Sequence, residues 1–167
     1  MKKLLIVYYS WSHGNTEGIA KQLQAATGAD LARLETAVPY PADYDAVVKQ
    51  GQEEVERRAQ PELKPLALRP EDYDGIAVGT PTWWYTMAPA VRTFLSDRDW
   101  AGKTVIPFVT HGGWPGRAVR DMEALCPGAD VRHPMEVRFD SSGGSRMETA
   151  QGRIDDWIGR VKQELLR

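Results

Sequence analysis

Five consecutive apolar residues, Leu4 to Tyr8, lead through a polar stretch containing Gly14 into helical spacing at Ile19, Ala20, Leu23 and Ala26. An apolar run that does not alternate suits a parallel strand covered on both faces better than a half-exposed one. Such a strand needs helices above and below it, so the opening of the chain restricts it to a layered α/β design.

The same grammar continues. Asp30 to Glu35 reads as a short second strand, and Tyr44, Val47, Val48 and Val55 keep helical spacing between Pro39–Pro41 and about Pro61. GIAVG at 75–79 reads as a third strand, followed by the loop TPTWWYTMAP and a helix opening near Pro89. KTVIPFV at 103–109 gives a fourth strand, THGGWPG its loop, Ala118 to Leu125 a helix, and Val131 to Phe139 a fifth strand. The spacing of Ser145 and Glu148 predicts a capping box that opens the last helix, with Met147, Ala150, Ile154, Trp157, Ile158, Val161 and Leu165 inward. These alternations predict a doubly wound five-stranded parallel sheet in the order 2-1-3-4-5, helices on both faces, as one domain over 1–167.

In such a sheet, ligands sit beyond the carboxyl ends of the strands where the order reverses, so the loops after strands one, three and four should converge. The first loop offers hydroxyl, amide and imidazole donors from Ser10, Ser12, His13, Asn15 and Thr16, while Gly14 permits close backbone approach. The amides of the following helix N-terminus favour an anion in the same space. The loop holds no lysine or arginine, so a phosphate there would rest on neutral donors and the helix end. A nucleotide-triphosphatase loop would need GKS or GKT after Gly14, and a dinucleotide fold GxGxxG; neither is present. A receiver domain would need acidic residues where this strand ends in Tyr9 and Ser10.

Composition narrows the rest. A net charge of −2 with balanced acids and bases argues against a nucleic-acid face, and no apolar stretch approaches a membrane span. The start MKKLLIVYYS is too short in its apolar part for a signal peptide and lacks a cleavage site, which implies a cytoplasmic protein. Cys126 is the only cysteine, so an internal disulfide is excluded and redox chemistry must come from a cofactor. His13, His111 and His133 lack metal-site spacing, and no metal is expected.

Four of the six tryptophans fall in the three converging loops: Trp11, Trp83, Trp84 and Trp114. Flat rings prefer offset stacking on other flat rings, so an aromatic collar beside a phosphate site points to a planar ligand. The string SWSHGNTEGIA resembles the phosphate loop of flavodoxins, with His13 as an insertion. GTPTWWYTMAPAVRTFL and PFVTHGGWPG look like the loops after strands three and four of a flavodoxin-like family of small bacterial flavoproteins.

The resemblance spans most of the chain and implies FMN as cofactor. It places the phosphate on Ser10, Ser12, Gly14, Asn15 and Thr16, with Trp11 and His13 in the same loop. It places the ring against Pro81, Thr82, Trp83, Trp84 and Tyr85 and against Thr110, His111, Gly112 and Gly113. His13 either adds a donor to the phosphate or faces solvent; Trp83 and Trp84 are adjacent and cannot both face the ring equally, so each either meets the ring or packs under the loop as core. His111 is the candidate for a catalytic role, as a donor to the reduced ring or to a quinone oxygen.

Three classes remain open at this level: a carrier docking redox partner proteins, an enzyme passing hydride from NAD(P)H to a quinone-like acceptor, and a flavin-free interaction domain. An estimated pI near 5.9 and Arg92, Arg98, Lys103, Arg117 and Arg120, expected near the active end, reduce the acidic docking face usual for carriers. Oligomeric state is not determined by the sequence.

Overall fold

The computed structural model describes residues 1–96 and 98–167. Its centre is a parallel sheet whose strands β1 (Leu4–Tyr8), β2 (Asp30–Arg33), β3 (Gly75–Trp83) and β5 (Thr104–His111) lie in the order β2-β1-β3-β5. The fifth position is filled by two short strands, β6 (Asp130–Val131) and β7 (Met135–Arg138), both parallel to β5. This is the predicted order 2-1-3-4-5, with the last strand interrupted.

The interruption has a local cause. Val131 pairs with Val105 and Met135 with Phe108, so three residues of one strand oppose two of the other, a bulge. Pro107 has no N–H to donate on this side, Pro134 has none either, and His133 takes a positive φ of 51°.

Alternation along the buried strands feeds two cores. Leu5, Val7, Ile76, Val78, Val105 and Val109 join Val91, Phe94 and Leu95 of α3 (Pro89–Leu95) and Met122 of α4 (Ala118–Ala124) on one face. Leu4, Ile6, Ala77, Ile106 and Phe108 join Ile19 and Leu23 of α1 (Asn15–Thr27) and Ile154, Trp157 and Val161 of α5 (Gln151–Leu165) on the other. Gly79 lies beside Phe108 in the sheet, and a Cβ there would stand 2.3 Å from the ring; its absence is what lets Phe108 pack. Trp100 and Trp157 are structural, their indole N–H groups satisfied by the Leu95 and His133 carbonyls. Cys126 is buried, and burial pushes its thiol up to about 11.

Two expectations are corrected. The strand written as 75–79 runs on to Trp83 and folds back as a hairpin with β4 (Thr86–Met87). The last helix begins at Gln151 without a side-chain cap, so Ser145 and Glu148 form no capping box. Instead the Glu148 and Thr149 amides donate to the Arg138 carbonyl, and Met147 bridges Phe139. This segment continues the sheet edge. The helix α2 (Tyr44–Glu56) is capped by the Asp43 carboxylate, which accepts from the Ala46 amide at 2.9 Å.

Candidate functional site

The loop after β1 enters α1 through three consecutive residues in the left-handed region, Ser12, His13 and Gly14, with φ of 42°, 40° and 68°. Their side chains give α1 no cap. Among the described residues no protein acceptor takes the amides of His13, Asn15 or Thr16. The Glu17 amide reaches the buried Ser10 hydroxyl at 3.3 Å, which ties the start of the loop to the helix. Unclaimed N–H groups at a helix N-terminus form an anion site.

Glu17, in the first turn, would oppose an anion. Its carboxylate is drawn away to the Tyr8 hydroxyl at 2.8 Å and to Arg33 at 2.7 Å, with Lys21 at 3.5 Å. The Tyr8 bond first, then Lys21 and Arg33, hold this carboxyl below the usual range against the opposing effect of desolvation. Arg33 also donates to the Ser10 carbonyl at 3.0 Å. It supplies the cation that the loop's own sequence lacks, from the end of β2, and local sequence gave no signal of it.

Thr16 is buried, and its hydroxyl pairs with the buried Thr110 hydroxyl of β5 at 2.8 Å. Thr82 of β3 donates to the Thr110 carbonyl at 3.0 Å. These two bonds join the ends of the loops after strands one, three and four, the convergence that the topology requires. A fourth loop joins them: Asn15 Nδ2 donates to the Gly144 carbonyl at 2.9 Å, and Asp140 gathers the amides of Gly144 and Arg146. DSSGGS at 140–145 is not among the loops expected at the site, although a Ser- and Gly-rich stretch directly after the last strand is the local signal that marks it.

Beside the phosphate-type loop, a cleft of about 270 Å³ lies between α2 and the end of β3. Trp11, Ser12, Tyr44, Val48, Gly51, Pro81, Thr82, Trp83 and Trp84 line it. Trp83 forms its back wall, packed edge-on against Tyr9, Tyr40 and Trp11 with ring centroids 5.8, 5.1 and 6.4 Å away. Gly51 makes room for it, since a Cβ there would stand 3.1 Å from the indole. Trp84 sits on the rim, exposed, its indole N–H donating to the Val48 carbonyl at 3.0 Å.

A second depression of similar size, bounded by Thr82, Trp84, Tyr85, Gly112 and Trp114, continues on the other side of the hairpin. The two-residue turn is Trp84–Tyr85, with φ of 50° and 68°, a conformation usually given to Asn and Gly. Two bulky aromatics at positive φ store strain of about 1–3 kcal/mol each, and the surroundings must hold them. The Tyr85 carbonyl accepts from Arg117, and Thr86 donates to Asp121 at 2.6 Å. Gly116 lets the turn approach, because a Cβ there would stand 2.2 Å from the Tyr85 oxygen.

His111 closes β5. Its Nδ1 accepts from the Gly113 amide at 2.9 Å, so the proton of the neutral ring belongs on Nε2. Burial lowers its pKa, with Glu136 opposing and Arg138 adding to the effect. The ring is therefore neutral at pH 7 and offers one N–H donor. Arg98 and Lys103, expected near this end, lie at the opposite edge: Arg98 pairs with Glu71, and Lys103, just before β5 starts, donates to the carbonyls of Glu71 and Tyr73. No helix among the described residues is long and apolar enough to cross a membrane.

A family model described as flavodoxin matches residues 3–136. The chain is 32% identical over 130 residues to NAD(P)H dehydrogenase (quinone) 3 of Rhizobium meliloti, covering 70% of this chain but only 56% of that relative's length. Among solved structures, a chain from Bacteroides eggerthii assigned to the flavoproteins superposes with a TM-score of 0.74 at 26% identity, covering 96% of this chain and 98% of that one. A flavoprotein from Lactobacillus acidophilus in complex with FMN gives 0.70 at 24%, covering 94% and 99%, a likeness of fold. With a family match over most of its length and the sheet order agreeing, the chain belongs to the flavodoxin family.

Proposed function

We propose that this protein binds FMN and transfers electrons through it. The observation that carries the reading is the row of unclaimed amides at His13, Asn15 and Thr16, opening directly beside an aromatic cleft. Ser10, Ser12 and Thr16 hydroxyls and these amides would hold the phosphate, with Gly14 allowing the backbone to approach. Trp11, Trp83 and Trp84 would flank the ring, and Pro81, Thr82, Tyr85, Thr110, Gly112 and Gly113 would meet its edges. Bound FMN supplies the one- and two-electron chemistry. The protein positions the ring, limits water around it and offers the His111 Nε2–H as a donor that stays neutral at pH 7.

A second reading refines the first: hydride accepted from NAD(P)H and electrons passed to a quinone-like acceptor. The Rhizobium meliloti relative supports it by name, and so does the paucity of acidic residues lining the two depressions. The test is anaerobic addition of NADPH or NADH to the FMN-loaded protein. Bleaching of the visible band, reversed by a quinone, establishes the reductase. A band untouched by either nucleotide but reducible by light with a donor establishes a carrier that docks partner proteins. Failure to take up flavin leaves a fold-retaining interaction domain.

A further inference from the structure

Behind the Trp84–Tyr85 turn, between the end of α2 and α4, lies a separate cleft of about 270 Å³. Its polar walls are Arg58, Thr86, Arg92, Arg117 and Asp121, three guanidiniums with a single carboxylate. That carboxylate is committed: Asp121 accepts from the Thr86 hydroxyl at 2.6 Å and stands 3.9 Å from Arg117 Nε. Among the described residues no carboxylate forms an ion pair with Arg58 or Arg92, and none accepts a hydrogen bond from the half-buried Arg92 side chain. Burial lowers the Arg92 pKa, Asp121 opposes this, and repulsion from Arg58 and Arg117 adds to it.

The backbone supports the cluster. The Arg58 amide donates to the Val55 carbonyl and the Ala59 amide to the Glu54 carbonyl, the paired closure of a helix end in which the left-handed residue is usually glycine. Arg58 holds that position at φ 51°, so an arginine stands where glycine is the default. Three guanidiniums lining one cleft, with a single carboxylate among them that is already engaged, match the geometry and charge of a phosphate oxyanion.

We propose that this cleft is a phosphate subsite for a second substrate, taking the monoester phosphate of a nucleotide whose other end reaches the flavin cleft past the Trp84–Tyr85 turn. The inference rests on the hydride-accepting reading and deepens it: a reductant bearing a ribose 2′-phosphate carries the dianion that Arg58, Arg92 and Arg117 recognise, and NADH lacks it. The site therefore selects NADPH. Arg117, whose amide also holds the Tyr85 carbonyl, links phosphate binding to the turn beside the ring.

The experiment is calorimetric titration of the FMN-loaded protein with 2′-AMP, adenosine and inorganic phosphate, in wild type, Arg92→Gln and Arg58→Gln. Loss of a charge-assisted bond predicts that each substitution weakens 2′-AMP by about tenfold while FMN content is unchanged. Adenosine should bind weakly and equally to all three proteins. No binding of 2′-AMP, or binding that ignores both substitutions, overturns the site. Inorganic phosphate binding as tightly as 2′-AMP overturns the nucleotide and leaves a free-anion site. A protein that binds 2′-AMP through Arg92 but takes up no FMN keeps the subsite and removes the flavin reading.

Discussion

Gly116→Ala tests the claim that the aromatic turn is held against the start of α4. Gly116 has φ +56°, and an added Cβ would stand 2.2 Å from the Tyr85 oxygen, 2.6 Å from its Cβ and 2.7 Å from its Cα. Two of these atoms are backbone and cannot swing away. Gly28 provides the control, with φ +70° and nothing within 4 Å of the added carbon. Gly28→Ala should therefore cost only the left-handed conformational penalty, about 1–2 kcal/mol. Gly116→Ala carries the same penalty plus a close contact worth about 1–3 kcal/mol. At roughly 2–4 °C per kcal/mol for a domain of this size, it should melt on the order of 5 °C below Gly28→Ala. Thermal unfolding followed by circular dichroism measures the difference, and FMN titration should show weaker binding only for Gly116→Ala. Equal melting of the two variants would refute the packing argument.

Other expectations follow from named contacts. Thr16→Ala leaves Thr110 without its buried hydroxyl partner, at about 1–3 kcal/mol in urea unfolding, and should weaken FMN more than riboflavin; equal losses for the two flavins remove Thr16 from the phosphate site. Trp83→Ala empties the wall against Tyr9, Tyr40 and Gly51 and should cost about 3 kcal/mol, whereas Trp84→Ala, on the rim, should leave stability nearly unchanged and alter flavin fluorescence. Comparable stability losses would contradict these placements. His111 should titrate below 6.5 by NMR, with Nε2 protonated at pH 7. Because its folded pKa is depressed, its contribution to stability is present above the unfolded value and lost as pH falls through the folded one. A titration above 6.5 would contradict the burial argument.

The strand order and both cores were legible because the strands are buried on both sides and announce themselves as unbroken apolar runs, Leu4–Tyr8 above all. The hairpin was not, because its turn residues are Trp84 and Tyr85, where turn chemistry would place Asn and Gly. Local spacing misled at Ser145 and Glu148, because the Glu148 amide is claimed by the Arg138 carbonyl at the sheet edge. The bulge at Arg132–Pro134 lies opposite Ile106 and Pro107, on a strand distant in sequence. At the site, the loop residues could be read from their side-chain chemistry. Arg33 and the Asp140–Gly144 loop reach it only through the topology. The neutrality of His111 depends on burial and on the Gly113 amide, which spacing cannot express.

Everything proposed for the flavin turns on the loop at Ser10–Thr16 holding the phosphate of FMN. Calorimetric titration of the flavin-free protein with FMN and with riboflavin tests it directly. One FMN per chain, with riboflavin weaker by more than about tenfold for want of the phosphate bonds, is the predicted result. Equal affinity for the two flavins, or no binding of FMN, would contradict it.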